Sequence, residues 1–325
     1  MVWIVFVVSA ALIVFAANKL AAYGDVIAER TRLGGMFVGV LLLAGATSLP
    51  EVLTSISALR LSAPNLAAGN LMGSNAFNML LLALMDVLHR NQRVLRKAAL
   101  KHALSGSLAI FLIGMVVFFM LANLDLQIGW VGVDSLLIIG FYFLSVWLLQ
   151  SGGKAEETTE IAEGTPPLWE GLVGFGIAAT LLIFVTPVMV DSSNQIAEIT
   201  GLGTTFVGST LVAAVTSLPE LVTTLAAIRI GANDMAIGNL FGSNLFNMFA
   251  IGLTDFFYTD GRFLAAISPS FLLVGMLGLL MTGLGLIGNV AQFRRRLHFM
   301  EIDAALLFIL YFAGMWLLYT RGIAP

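Results

Sequence analysis

The sequence predicts an all-α integral membrane protein of about ten transmembrane helices, arranged as two inverted five-helix repeats. Three observations predict it. Of the 325 residues, 59% are apolar and 11% charged, against roughly 45–50% and 25% in a soluble domain. The apolar residues fall in ten continuous runs, each near the ~20 residues that a helix needs to cross a bilayer. A set of polar residues in the second and third runs also returns, at a constant offset of 169, in the seventh and eighth.

The runs cover about 2–22, 34–58, 65–88, 99–122, 128–150, 168–190, 203–228, 234–257, 264–289 and 302–320. They are unbroken rather than alternating, which excludes barrel strands. The first opens Met1-Val2-Trp3-Ile4 without a basic leader, so it reads as a permanent helix and not a cleaved signal. Residues 1–150 then form the first repeat, with its core at 34–88. A short acidic linker follows at 151–167, and residues 168–325 form the second, inverted repeat with its core at 203–257. Loops after odd-numbered runs carry twelve of the 16 basic residues, including Arg93 and Arg295; the opposite loops carry three, Arg60, Arg262 and Arg321. That bias puts the odd loops in the cytoplasm and both termini outside.

Several function classes fall away. A net charge of −3 with no basic stripe excludes nucleic acid as a partner. There is no Cys, hence no disulfide and no thiolate metal site. No cofactor and no protein partner are indicated; the partner is the lipid bilayer.

The repeat is specific. Residues 45–86 and 214–255 share 21 identities in 42 ungapped positions. They include Thr47-Ser48-Leu49-Pro50-Glu51 on Thr216-Ser217-Leu218-Pro219-Glu220, and Gly73-Ser74-Asn75 with Asn78 on Gly242-Ser243-Asn244 with Asn247. Arg60 aligns with Arg229 and Asp86 with Asp255, matches that apolar bias cannot produce. Five runs per half is an odd number, so the halves lie inverted. That is the layout of secondary transporters, whose substrate sits near the midplane between the repeats.

Glu51 and Glu220 fall near the middle of their runs. An ionisable group there costs about 2.5–3.5 kcal/mol on insertion scales, so both read as functional. Pro50 and Pro219 are expected inside the helices, where each frees the carbonyl four residues earlier, at Ala46 and Val215. Thr47, Ser48, Thr216 and Ser217 add oxygens in the same turn. Ser74 and Asn78 share a helix face, as do Ser243 and Asn247, and Gly69, Gly73, Gly238 and Gly242 permit close helix approach. His89, His102 and His298 fall in cytoplasmic segments, so the set is all-oxygen and suits Ca²⁺ or Na⁺ rather than Zn²⁺. Asn75 and Asn244 read equally as ligands or as helix-to-helix hydrogen-bonding groups. Asp86 and Asp255 read as interfacial carboxylates, and Arg60 and Arg229 as end anchors.

These paired segments resemble the alpha repeats of the sodium/calcium exchanger (cation/calcium exchanger) superfamily. The resemblance implies Ca²⁺ ligation by Glu51, Glu220 and the Thr47 and Thr216 carbonyls. It implies sodium ligation by Ser48, Ser217, Ser74, Ser243 and the carbonyls of Ala44 and Ala213, with Asn78 and Asn247 as the central polar pair. Two positions depart from the family pattern. Ala46 and Val215 stand where Gly is common before Thr-Ser, and Asn stands at both 78 and 247 where sodium-coupled members often carry one Asp. The expectation is a Ca²⁺/Na⁺ antiporter of the plasma or prokaryotic inner membrane, with both ions as substrates. Ca²⁺/H⁺ exchange at the same glutamates is the alternative. A cation channel and an intramembrane enzyme are weaker rivals, the latter for want of a buried nucleophile-base pair.

Overall fold

The computed structural model describes residues 1–31, 44–45, 47–88, 102–152, 165–229, 233–291, 296–297 and 300–322. Among these, eight helices are long and apolar enough to cross a bilayer, or nine when one bent pair counts as a span. The protein is an all-helical membrane protein, with two small hairpins between helices. The expected second run falls partly on residues 34–43, outside the described residues, as do most of the basic loop residues and the middle of the linker.

Helix α1 (Val2–Thr31) is followed by α2 (Leu49–Arg60) and α3 (Pro64–Leu88). Next come α4 (Ala103–Ala122), a hairpin of β1 (Gln127–Ile128) on β2 (Val131–Gly132), and α5 (Val133–Gly152). The expected fifth run therefore starts five residues late. Asn123 closes α4 in a left-handed conformation, Gly129 turns the hairpin at φ +70°, and only then can a helix begin.

Helix α6 (Leu168–Thr200) runs ten residues past the apolar stretch that predicted it. Ser192 and Ser193 hydroxyls donate back to the Met189 carbonyl at 2.8 and 2.7 Å, which satisfies them inside the helix. Ile196 and Ala197 keep that extension buried. α1 and α6 pack side by side. Large apolar side chains such as Phe184 and Ile4 point outward, 72% and 68% exposed, a surface suited to lipid.

The seventh run is not one helix. α7 (Thr204–Val207) passes into a π-helical turn, Gly208–Val212, then α8 (Ala213–Thr216); after a break at Ser217 the chain resumes as α9 (Leu218–Arg229). The two parts are bent by 41°. α10 (Asn233–Thr254) follows. The expected ninth run is also split, into α11 (Phe263–Ala266) and α12 (Phe271–Ala291), because Pro269 supplies no backbone donor and Ser268 turns the chain. A strand pair, β3 (Arg296–Leu297) on β4 (Met300–Glu301), leads into α13 (Ile302–Gly322).

Helix α3 lies directly against the π-helical turn. A Cβ added at Gly73 would sit 2.6 Å from the Ser209 carbonyl oxygen, and one at Gly69 would sit 2.9 Å from the Gly208 Cα. The glycine spacing is thus used for backbone-to-backbone approach.

Candidate functional site

The break in each half sets the site. At Ser48 (φ −90°, ψ 5°) and Ser217 (φ −88°, ψ 6°) the backbone leaves helical geometry. Pro50 and Pro219 are then the second residues of α2 and α9. This corrects the expectation of helix-interior kinks: both prolines sit in a first turn, where no intrahelical partner is required of the missing N–H. Ala46 lies outside the described residues.

All twelve candidate residues are buried. Ala44 is 2% exposed and Glu51, Glu220, Thr47, Thr216, Ser48, Ser217, Ser74, Ser243, Asn78, Asn247 and Ala213 are 0% exposed. The two halves reach across to each other. Ser48 donates to Glu220 Oε1 at 2.9 Å, and Ser217 donates to Glu51 Oε1 at 3.1 Å. Ser243 adds a donor to Glu220 Oε1 at 3.3 Å, whereas the Ser74 hydroxyl has no partner. Asn78 donates to Asn244 Oδ1, and Asn247 to Asn75 Oδ1, both at 3.0 Å. Asn75 and Asn244 therefore form helix-to-helix hydrogen bonds, one of the two readings left open by the sequence.

Among the twelve candidate residues, the unpartnered side-chain atoms are all oxygens. Glu51 Oε2, Glu220 Oε2, Asn78 Oδ1, Asn247 Oδ1 and Ser74 Oγ are buried without a hydrogen-bond partner. Leaving one such group unpaired costs about 1–3 kcal/mol, more if it is charged. All five are oxygens, two of them glutamate oxygens, and oxygen is the ligand type that a hard cation takes. The alanine carbonyls are partly engaged: Ala44 O accepts the Ser48 N–H at 2.9 Å and the Thr47 hydroxyl at 3.2 Å, and Ala213 O accepts the Ser217 N–H at 3.1 Å.

Two sets of contacts were not expected from the sequence. Asn70 donates to the Glu51 carbonyl at 2.9 Å and to Ser55 at 3.0 Å, and accepts from Thr216 at 2.8 Å. It ties α2, α3 and α8 together, and its place beside the repeated Gly69 was the available signal. The second set is a staple. Asp255 accepts the backbone N–H groups of Gly132 and Phe263 at 2.7 and 2.6 Å, while Arg262 pairs with Asp134 at 3.4 Å. Asp255 and Asp86, 0% and 6% exposed, are not the interfacial carboxylates expected. Arg60 and Arg229 are exposed at helix ends, as anchors would be. His102 is buried at the start of α4; His89 and His298 lie outside the described residues.

Broken helices that present buried carboxylates, packed in a polytopic bundle with continuous helices that present buried amides, are the arrangement of a membrane-embedded transporter. The sequence matches the sodium/calcium exchanger protein family over residues 1–150 and 170–320, and the chain belongs to that family. It is similar to the inner membrane protein YrbG of Escherichia coli strain K12, 28% identical over 263 residues that are 74% of this chain and 75% of that protein. It is also similar to the sodium/calcium exchanger MaX1 of Methanosarcina acetivorans, 42% identical over 83 residues, 25% of this chain and 24% of that one. Among solved structures, the sodium-calcium exchanger NCX_Mj shares the fold, with a TM-score of 0.61 at 22% identity over 97% of this chain and 99% of that one.

Proposed function

We propose that the chain is a secondary active antiporter that exchanges Ca²⁺ for Na⁺ by alternating access, with the ions held between two inverted five-helix repeats, 1–150 and 168–325, joined by a cytoplasmic linker. Ten spans, both termini outside and the basic loops in the cytoplasm complete the proposed topology. One observation carries the reading: each glutamate takes a hydroxyl bond from the other half and keeps a buried, unpartnered oxygen. Two carboxylates balance one Ca²⁺ or two Na⁺, so a single pocket serves both ions in turn. Glu51 and Glu220, with the Thr47 and Thr216 carbonyls, are the proposed Ca²⁺ ligands. Ser48, Ser217, Ser74, Ser243 and the Ala44 and Ala213 carbonyls would serve Na⁺, with Asn78 and Asn247 between. A proton needs only a carboxylate, so four serines in two pairs favour Na⁺ as the coupling ion. Family membership and the likeness to MaX1 support the same substrates.

The test is uptake of Ca²⁺ into proteoliposomes under separate gradients. An outward-directed Na⁺ gradient at fixed pH is expected to drive uptake that saturates with Ca²⁺. Uptake driven by a pH gradient alone, with no response to Na⁺, would assign proton coupling instead.

A further inference from the structure

The four asparagines between α3 and α10 differ in one respect that the repeat does not predict. An amide is polar in direction: its oxygen accepts and its nitrogen donates. The direction of a buried amide is therefore set by whatever fixed acceptor or donor lies at the end of its chain of hydrogen bonds. For Asn78 that chain can be followed to backbone. The Gly278 carbonyl only accepts, and the Thr282 hydroxyl donates to it at 2.7 Å. With its proton committed, Thr282 Oγ1 accepts from Asn244 Nδ2 at 3.2 Å. The Asn75 carbonyl, another obligate acceptor, takes the same Nδ2 at 3.3 Å. Asn244 must then turn Oδ1 to Asn78, whose Nδ2 donates to it at 3.0 Å. Asn78 Oδ1 is left as the free, buried end.

The other pair has no such anchor. Asn247 Nδ2 donates to Asn75 Oδ1 at 3.0 Å, but Asn75 Nδ2 has no partner. At the 169-residue offset the counterpart of Thr282 is Ile113, which has no oxygen to give. If both amides turned over, the pair would keep its one hydrogen bond and leave Asn75 Oδ1 unpartnered in place of Nδ2. The two states are equal in hydrogen-bond count.

We propose that Thr282 and Asn244 are positioning residues that hold the Asn78 amide with its oxygen available to the transported cation, while the Asn75–Asn247 pair is reversible and offers either an oxygen or an NH₂ group. The proposal rests on the cation-exchange reading above. It makes Asn78 a fixed ligand and Asn247 one that a bound cation must select, so part of the affinity for Ca²⁺ depends on a hydroxyl that need not touch the ion.

The experiment is Ca²⁺ uptake by the full chain in proteoliposomes, with KM and maximal rate measured for wild type, Thr282→Val and Thr282→Ser. One neutral hydrogen bond contributes about 0.5–1.5 kcal/mol, so Thr282→Val is expected to raise KM roughly two- to tenfold with the maximal rate little changed. Thr282→Ser keeps the hydroxyl and is expected to restore the wild-type KM. Thr282→Ala is expected to behave as the valine variant and replaces it should that chain fail to insert. A wild-type KM in the valine or alanine variant overturns the proposal. So does a serine variant no better than valine, which would mark a packing defect. A wild-type protein that moves no Ca²⁺ overturns the exchange reading itself, and that failure appears in the unmodified chain rather than in the variants.

Discussion

The two halves of the protein keep the same buried polar residue types around Glu51 and Glu220 and differ in what supports them. Glu220 receives two hydroxyls, from Ser48 and Ser243, whereas Glu51 receives one, from Ser217. Asn239 donates to Thr223 and Thr224 at 3.1 and 3.3 Å; its counterpart Asn70 reaches Ser55 and the Glu51 carbonyl. Asn244 is anchored by Thr282, while Asn75 has Ile113 at the matching position. A duplicated motif thus holds the groups proposed to face the ion constant and leaves the surrounding shell free to diverge. On the proposal above, that divergence decides which amides are held in one orientation.

If the halves are equivalent at the ion, Glu51→Gln and Glu220→Gln should each abolish Ca²⁺ exchange while the protein still inserts, since one carboxylate cannot balance a dehydrated divalent ion. Near wild-type transport in either would break the equivalence. Gly73→Ala tests the packing of the first half on the second. Its Cβ would meet the Ser209 backbone at 2.6 Å, and overpacking of that kind costs about 1–3 kcal/mol. A lowered melting temperature in detergent is expected. Ser74→Ala together with Ser243→Ala should weaken the Na⁺ dependence of uptake several-fold more than Ca²⁺ binding, since each removes one oxygen proposed to serve Na⁺. Of the single changes, Ser243→Ala should act more strongly, because Ser243 bonds Glu220 whereas the Ser74 hydroxyl has no partner. The smallest effect expected is from Ile113→Thr, which offers Asn75 the hydroxyl its half lacks and should lower the Ca²⁺ KM by no more than about threefold.

Much of this was legible in the sequence because polar residues are costly in an apolar span and so stand out. Glu51, Glu220 and their hydroxyl neighbours announced themselves, and the constant offset placed them in one region before any coordinates. Pro50 and Pro219 also signalled a break, but its position was misread. The chain leaves helical geometry at the serine, and proline starts the next helix rather than bending the old one. Thr282 gave no signal, since a lone threonine in an apolar helix ordinarily bonds its own backbone, and it does that here as well. Asp255 was misjudged for the opposite reason. A carboxylate at a helix end normally meets water, but two backbone N–H groups from a hairpin and a short helix enclose it. Their positions depend on chain turns too remote for local patterning to show. Helix α6 outran its apolar stretch because serine hydroxyls can be satisfied within a helix, a compensation that hydropathy does not register.

That both halves build one cation site is a statement about stoichiometry. Equilibrium binding of radioactive Ca²⁺ to the purified chain, and to its Glu51→Gln and Glu220→Gln variants, tests it most directly. One Ca²⁺ per wild-type chain is expected, displaced by Na⁺, and none in either variant. Two Ca²⁺ per wild-type chain, with each variant losing one and keeping the other, would contradict it.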